Sequence, residues 1–458
     1  MNHWIGPRGW NGVGRPLDIA VVGTGISGMA AAWLLSSRHR VTIYEAGDRV
    51  GGHSNTVQAP DGRGGTTPVD TGFIVYNEAN YPNLTALLRG LSVPTQSTDM
   101  SFSVSLDGGR LEYGSTGLDA VFAQPANLLR PRFWSMLLGL RRFYAEAAER
   151  GRGLDPHLSI GQFLEQEGYG PAFIDDHLMP QAGAIWSATP DAIRDYPAAA
   201  FIRFFDNHGL LKISTQTQWR TIVGGAQAYI EPLTAPYADR IRLNCPVRAI
   251  RRSPAGVMVR DAGGHVASYD HVVVAAHANQ ALAMLEDPTP QEAGLLGAFA
   301  YNRNLAVLHN DVSLMPRRRR AWAAWNHVGK RGGASCITYW MNRLQQLETA
   351  EPLLVTLDPV HAPRPDAILR SEVYEHPIFN AATAAAQRRL WSLQGVGNTW
   401  FCGAYFGAGF HEDGLQAGLA VAEQLGGALR PWTVAAPSGR IHVAPEPAAG
   451  CSEEELVA

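Results

Sequence analysis

The sequence is poor in charge and above all in lysine. Of its 458 residues, 17% are charged, below the average of about 25% for soluble domains. Lys212 and Lys330 are the only lysines, and the formal net charge is −3. Because nucleic-acid binding depends on a basic surplus, we expect no nucleic-acid partner. The apolar share of 46% also excludes a disordered chain.

Cysteine and long apolar runs are scarce as well. Cys245, Cys336, Cys402 and Cys451 have no spacing typical of a zinc site or a redox pair, so we expect reduced thiols and no metal. No window reaches the roughly 18 consecutive apolar residues that a membrane span needs. Residues 1–16 lack the apolar run of a secretory signal. We therefore expect a cytoplasmic protein, with peripheral contact to the inner membrane face left open.

The strongest motif lies near the N-terminus. Residues 18–22 form a short apolar run typical of a buried parallel strand, and Gly23, Gly25 and Gly28 follow at once. Gly23 would turn the chain, Gly25 let the backbone approach a pyrophosphate, and Gly28 let helix and strand pack closely. A second strand ends at Glu45, whose carboxylate suits a ribose diol. Strand, glycine turn, helix, strand and acid together predict a dinucleotide site.

The residues after that acid favour FAD over NAD. Arg49, Gly51, Gly52 and His53 belong to a second glycine-rich stretch that the plain NAD fingerprint lacks. In this stretch the sequence resembles the flavin-containing amine oxidase superfamily, which includes monoamine oxidases, phytoene desaturases and protoporphyrinogen oxidases. The resemblance implies that Arg49, Gly51 and Gly52 lie over the FAD pyrophosphate. Most members carry arginine where this chain has His53.

Further blocks of the family follow in the expected order. The resemblance implies that residues 69–73 approach the isoalloxazine ring, that a Gly-Gly turn in residues 222–233 opens a helix, and that the Val247 backbone holds the adenine edge. In residues 399–418 a strand leads to a helix N-terminus beside the reduced flavin. Many members have an acid where this chain has Ala404. The cofactor-binding residues predicted in this way are Gly23, Gly25, Ile26, Ser27, Gly28, Glu45, Ala46, Arg49, Gly51, Gly52, His53, Gly72, Phe73, Ile74, Val247, Ala275, Gly403, Ala404, Phe410, Asp413, Gly414, Leu415 and Ala417.

The resemblance implies an α/β fold with two interleaved domains, as in amine oxidases and glutathione reductase. One is a three-layer, Rossmann-type FAD-binding domain, and the other is an α+β substrate domain. We assign residues 17–78, 215–290 and 396–429 to the FAD-binding domain and residues 79–214 and 291–395 to the substrate domain. Residues 430–458 lack apolar periodicity, and we expect a mobile tail there.

One segment points towards lipid. Residues 130–144 combine four arginines in a dense apolar helix, which suits the interface of an anionic bilayer. The alternative is a substrate-domain helix with a basic, solvated face. A second basic run at residues 317–320 fits either a solvated loop or a phosphate-seeking patch.

Candidate catalytic residues lie in the substrate half and beside the last FAD block. His309 ends a strand that begins at Tyr301, and we expect it to be the base that takes or relays a proton. Tyr339 and His411 are the next candidates. Each of the three also fits a structural role in the core. Monoamine oxidases usually carry a lysine at the flavin, and the scarcity of lysine counts against amine oxidation.

The amino-acid sequence of four segments is most similar to one bacterial subgroup of this superfamily. The segments are residues 70–77, 80–84, 99–102 and 407–414. Members of this subgroup are predicted NAD/FAD-binding proteins, often encoded beside cyclopropane-fatty-acid-synthase-like methyltransferases, and some act in making methylated or furan fatty acids. The resemblance implies a lipid substrate and a methyltransferase partner.

Our leading hypothesis is an FAD-dependent oxidoreductase that dehydrogenates an unsaturated or methyl-branched acyl chain, free or on a phospholipid, with hydride transfer to flavin N5. One alternative is an amine oxidase that acts on a small molecule such as a polyamine. Another is a non-catalytic FAD-binding partner of a fatty-acid methyltransferase.

Overall fold

The computed structural model describes residues 15–155, 157–211 and 218–443. Lys212, Cys451, the first three residues of the segment 215–290 and the tail from 444 onward lie outside the described residues.

Runs of strands and runs of helices follow one another along the described chain. The strands are β1 (Asp18–Val22), β2 (Arg40–Tyr44), β3 (Thr56–Pro60), β4 (Thr66–Asp70), β5 (Tyr76–Asn77), β6 (Thr95–Thr98), β7 (Phe102–Leu106), β8 (Leu111–Gly114), β9 (Trp219–Ile222), β10 (Ile241–Arg242), β11 (Val247–Ser253), β12 (Gly256–Asp261), β13 (Val266–Tyr269), β14 (His271–Val274), β15 (Tyr301–His309), β16 (Trp325–Gly329), β17 (Ser335–Trp340), β18 (Leu354–Leu357), β19 (Ile368–Pro377) and β20 (Thr399–Phe401). The α-helices are α1 (Ile26–Ser36), α2 (Pro82–Gly90), α3 (Leu118–Val121), α4 (Pro131–Arg150), α5 (Ile160–Gln166), α6 (Pro171–Phe173), α7 (Met179–Trp186), α8 (Pro190–Arg194), α9 (Ala198–Asn207), α10 (Gln227–Thr234), α11 (Ala278–Met284), α12 (Pro290–Leu296), α13 (Met341–Leu344), α14 (Ala381–Gln387) and α15 (His411–Gln424).

A five-stranded parallel sheet forms the first layer, in the order β10-β2-β1-β14-β20. The central strand β1 pairs on both sides, so that Val21 lies opposite Ile43 and Val273. Its apolar run is buried on both faces, as expected for a strand inside a parallel sheet. All five strands come from the segments that the sequence assigns to FAD binding.

Helix α1 packs on this sheet, and α15 packs closely against α1. Helix α1 is buried almost all round, because its residues after Ile26 are small or apolar. It packs against α15, where a Cβ at Gly418 would lie 2.1 Å from the carbonyl oxygen of Ser27. The absence of a side chain at Gly418 therefore sets the distance between the two helices.

A seven-stranded sheet, in the order β19-β15-β18-β17-β16-β7-β8, forms the second layer. Its strands pair antiparallel except for β16 and β7, which run parallel. All seven come from the segments that the sequence assigns to the substrate domain. A second apolar core covers this sheet, with Val104, Leu308 and Val355 among its buried residues.

Smaller sheets join these two layers. The sheet β5-β9-β6 pairs strands from both predicted domains, and β3 with β4 and β11 with β12 and β13 form further antiparallel units. Among the described residues no helix is both long enough and apolar enough to cross a bilayer.

Residues 430–443, the described part of the segment for which we expect a mobile tail, make contacts with α15. Arg430 donates to both carboxylate oxygens of Glu423, at 2.7 and 2.8 Å. Arg440 donates to Asp413 at 2.5 and 3.2 Å, and Asp413 is fully buried. Composition does not indicate these contacts, because two ion pairs to α15, and not apolar periodicity, hold the segment.

We predict that Arg440→Met lowers the free energy of unfolding by about 3–5 kcal/mol, because it leaves the buried Asp413 carboxylate without its partner. The control Arg15→Met removes an exposed pair with Asp270, which should cost at most about 1 kcal/mol. Urea unfolding of both variants measures the difference. Equal stability of the two would contradict a structural role for the segment.

Candidate functional site

One large cavity, of about 980 Å³, lies between the two main sheets and is lined by residues of both. The carboxyl ends of β1, β2, β14 and β20 open into it, since Gly23, Glu45, Ala275 and Gly403 all line its wall. Ligands of open α/β sheets bind at this edge. The position of the cavity therefore follows from the topology of the parallel sheet.

The first glycine loop forms one end of the cavity. Gly23 has a φ of +100°, and a Cβ at Gly28 would lie 2.0 Å from the carbonyl oxygen of Gly23. Helix α1 begins after Gly25 without a side-chain cap and without an acid in its first turn. A Cβ at Gly25 would meet no protein atom within 4 Å. The free N–H groups and the open space at Gly25 suit a pyrophosphate.

The second glycine pair lies directly on this loop. A Cβ at Gly52 would come within 3.0 Å of the Cα of Gly25, and Gly51 donates its N–H to the carbonyl of Thr24 at 3.1 Å. Arg49 donates to the carbonyl of Gly52 at 2.8 Å. The two glycine motifs, separate in sequence, thus form one backbone surface.

Glu45 is held in place at the end of β2. Its carboxylate accepts the N–H of Thr24 at 2.9 Å and the N–H of Gly47 at 2.8 Å. These bonds fix the side chain beside the glycine loop, where a ribose would follow the pyrophosphate.

A stacked pair, Phe73 and His411, lies between the loops and α15. The two rings are parallel with centroids 3.9 Å apart. The Nε2 atom of His411 contacts the hydroxyl of Tyr229 at 2.9 Å, and Tyr229 in turn contacts Ser54 at 2.6 Å. Burial lowers the pKa of His411 to about 3, so the ring is neutral near pH 7.

Three histidines converge on another part of the wall. The ring of His53 lies 5.4 Å from that of His376, 6.3 Å from that of His277 and 5.0 Å from that of Tyr374. Burial lowers the pKa of all three histidines, that of His376 to about 4. The cluster is therefore neutral near pH 7. Among the described residues no group of His, Cys, Asp and Glu side chains is arranged to hold a metal ion.

The protonation pattern of His376 is fixed by its neighbours. The amide nitrogen of Asn304 donates to the carboxylate of Asp358 at 2.7 Å, so that its oxygen faces His376 Nδ1 at 2.7 Å. Nδ1 must therefore carry the hydrogen, and Nε2 keeps its lone pair. In the cavity wall, His376 is therefore a neutral ring that carries its lone pair on Nε2.

The far end of the cavity is apolar. Met100, Phe102, Trp325, Tyr339 and Leu357 of the seven-stranded sheet line it, and the rings of Trp325 and Tyr339 meet edge to face at 4.8 Å. Burial raises the pKa of Tyr339, so its hydroxyl stays protonated. The indole N–H of Trp325 is buried without a hydrogen-bond partner.

The acidic residues of the substrate-domain wall already have basic partners. Glu372 accepts from Arg370 at 2.8 Å, and Glu375 lies 3.7 Å from Arg303 and 3.2 Å from His277. Each of these two carboxylates in the cavity wall therefore has a basic neighbour.

Most of the predicted site residues meet in this cavity. Tyr339, His411 and all but four of the predicted cofactor-binding residues line it. Of the four, Gly28 lies behind the loop that it allows to pack, and Asp413 is buried against Arg440. The other two, Leu415 and Ala417, are buried inside α15.

The structure places His309, the predicted catalytic base, outside the cavity. His309 is fully buried, its Nε2 contacts Thr356 at 2.7 Å and its Nδ1 accepts the N–H of Asp311. Tyr301 and Arg303, at the start of the same strand, line the cavity, and His309 does not. At about 3.3 Å per residue, six further residues carry His309 about 20 Å beyond Arg303.

His277 and His376, with the partners Asn304 and Asp358 of His376, are not among the residues predicted from sequence. His277 lies three residues after the end of β14, at the edge where ligands bind, which is a signal that topology provides. No such signal marks His376 in the sequence. Its partner Asn304 lies on another strand, and only the pairing of β15 with β19 brings the two residues together.

Comparison with known proteins supports this site. The family model for flavin containing amine oxidoreductases matches residues 26–307. The chain belongs to this family. FAD is therefore the cofactor, and the glycine loops, the uncapped α1 and Glu45 form a site that fits it.

The relatives and solved structures agree on the fold. A protein of Mycobacterium tuberculosis described as a flavin-containing monoamine oxidase is 29% identical over 283 residues, which are 60% of this chain and 60% of the relative. The chain thus spans about 60% of the length of the curated relatives that it matches first.

Cyclohexylamine oxidase from Brevibacterium oxydans superposes with a TM-score of 0.64 at 18% identity, over 90% of this chain and 99% of that one. A fatty acid isomerase from P. acnes gives 0.65 at 15% identity, over 90% and 99%. The predicted α/β, Rossmann-type fold class is confirmed.

We predict that Gly25→Ala leaves the unfolding of the apoprotein unchanged but weakens FAD binding at least about tenfold, because the added methyl group occupies the space for the pyrophosphate. Titration of FAD into the apoprotein, followed by flavin fluorescence, measures the affinity. Gly294→Ala, which also adds a methyl group in open space, is the matched control. Wild-type affinity of Gly25→Ala would place the pyrophosphate elsewhere.

Proposed function

We propose that the protein is an FAD-dependent oxidoreductase that dehydrogenates an unsaturated or methyl-branched acyl chain, free or on a phospholipid. The observation that carries this proposal is the apolar end of the cavity, where Phe102, Trp325 and Leu357 offer a wall without charge. An alkyl chain gains free energy by leaving water for such a surface.

The pairing of the cavity's carboxylates supports a neutral reacting group. An ammonium substrate needs a free carboxylate or an equivalent set of acceptors, and Glu372 and Glu375 are already paired with Arg370 and Arg303. The one lysine in the described residues, Lys330, is exposed between β16 and β17 and does not line the cavity. The site therefore favours a neutral chain over a polyamine.

Different residues of the cavity bind the substrate and accept the proton. When bound, FAD supplies the acceptor for a hydride from the chain, and oxygen or another acceptor takes the electrons onward. The apolar wall holds the chain and excludes water. His376 takes the proton from the neighbouring carbon at Nε2, while Asn304 and Asp358 hold the ring. Loss of hydride and proton from adjacent carbons forms one double bond.

A lipid substrate implies two partners, which are a membrane and a methyltransferase. We propose that the enzyme meets the membrane peripherally, on its cytoplasmic face, and that it receives methylated chains from a fatty-acid methyltransferase. The same site would also serve a non-catalytic FAD-binding partner of that methyltransferase. Turnover by the isolated protein separates the two.

We predict that a methyl-branched phospholipid, mixed anaerobically with the holoenzyme, bleaches the visible absorbance of the oxidised flavin, because the apolar wall admits its chain. Putrescine and spermidine, mixed under the same conditions, should leave the spectrum unchanged. Bleaching by an amine and not by lipid would establish the amine oxidase. Bleaching by none of these compounds, with FAD bound, would favour the non-catalytic partner.

We predict that His376→Gln slows this bleaching by about 100- to 10,000-fold, the usual loss when a general base is removed. The wild-type rate should be level at neutral pH and fall as the pH drops through about 4, because His376 must be neutral to accept a proton. His309→Gln is the matched control and should keep most of the rate. A wild-type rate in His376→Gln, with FAD bound, would assign the proton to another group.

A further inference from the structure

A cluster of exposed apolar side chains lies on the outer surface of the substrate half. Leu129 is 88% exposed, Leu118 77% and Leu138 64%, and Leu128 and Trp134 are exposed as well. Large apolar side chains scattered singly are normal, but a contiguous group marks an interaction surface. We call these five residues the apolar patch.

The geometry of α4 explains how one helix serves two faces. Phe133, Met136 and Phe143 point into the protein and are buried. Trp134 and Leu138, four residues apart, lie on the opposite face, and Arg141 continues the same stripe by three residues. One face of α4 is therefore apolar and buried in the core. The opposite face carries a second apolar stripe that is exposed to solvent.

The patch is held rigidly, which lowers the entropic cost of binding. The indole of Trp134 donates to the carbonyl of Leu128 at 2.9 Å, and its ring lies 6.1 Å from that of Phe122. Phe122 directly follows helix α3, which carries Leu118. These contacts tie α3, the turn Pro125–Leu129 and the start of α4 into one surface.

Arginines without acidic partners surround the patch. Arg319 and Arg320 lie on the short helical turn Arg319–Ala321 that packs against α3, and a Cβ at Gly109 would lie 3.0 Å from Arg317. In the part of the chain that the structure describes, Arg110, Arg130, Arg141, Arg317, Arg319 and Arg320 form no ion pair with a carboxylate. Asp119, next to Leu118 in the sequence, is an exposed acidic residue beside the patch.

We propose that the apolar patch and these arginines dock the protein on an anionic lipid bilayer. Leucines and a tryptophan would enter the boundary between headgroups and acyl chains, and the arginines would contact lipid phosphates. Charge complementarity decides the partner, because the uncompensated arginines need an anionic surface around the apolar insertion. The inference deepens the proposed membrane contact by naming its surface.

The test is sedimentation of the holoenzyme with sucrose-loaded vesicles of equal parts phosphatidylglycerol and phosphatidylcholine. We expect binding that weakens in high salt and on pure phosphatidylcholine, because salt screens the arginines. The double variant Leu129→Ser/Leu138→Ser should lower the partition coefficient at least about tenfold. Arg319→Gln/Arg320→Gln should weaken binding to the anionic vesicles alone.

The matched control is Leu429→Ser, because Leu429 is 67% exposed but lies beyond α15, away from the patch. It should bind as the wild type does. All the variants change exposed residues, and an unchanged flavin spectrum and melting temperature verify their folding.

Three outcomes would overturn the inference. They are no binding of the wild type to anionic vesicles, equal binding of the leucine variant, and a leucine variant that changes the oligomeric state while still binding vesicles. The last would assign the patch to a second copy of the chain. Vesicle binding is measured without a substrate, so its failure and a failure of flavin bleaching are distinguishable.

Discussion

The contacts that glycines allow around α1 set the geometry on which the rest of the structure depends. Gly28 lets the helix approach the carbonyl of Gly23, and Gly418 lets α15 approach the carbonyl of Ser27; a Cβ at either would lie about 2 Å from the oxygen. Because these contacts hold α1 against β1 and α15, its uncapped N-terminus faces the cavity. The partial positive charge of that end then lies where a pyrophosphate must bind.

The second helix at the cavity needs different support. Its first turn contains Asp413, a carboxylate that accepts the N–H of Phe410 at 2.8 Å and is fully buried. Arg440 balances this charge from the segment after α15. The segment after α15 lacks apolar periodicity, but through Arg440 it stabilises the part of the cavity wall that contains Phe410 and His411.

The low charge of the sequence has a structural counterpart in the substrate half. The carboxylates Glu372 and Glu375 are paired, the histidines are neutral, and the far wall is apolar. Several arginines that have no acidic partner in the described part of the chain lie instead on the outer surface around α4. A net charge near zero thus conceals an uncharged far wall of the cavity and a basic patch on the exterior.

Local patterns predicted the cofactor half well, because strand, glycine turn and helix follow one another within a dozen residues. The substrate half could not be predicted in this way. The role of His376 depends on the pairing of β15 with β19, which places Asn304 beside it. The location of His309 away from the cavity has a related reason, since the direction of a strand, and not its composition, decides which end reaches the cavity. Arg440 contacts a residue 27 positions away, and no local pattern encodes that pairing.

The most direct test of the account is a crystal structure of the holoenzyme with a methyl-branched acyl lipid. We expect electron density for the alkyl chain between Phe102, Trp325 and Leu357, with a reacting carbon within reach of His376 Nε2. An empty apolar end, or a ligand held only through polar contacts elsewhere in the cavity, would contradict it.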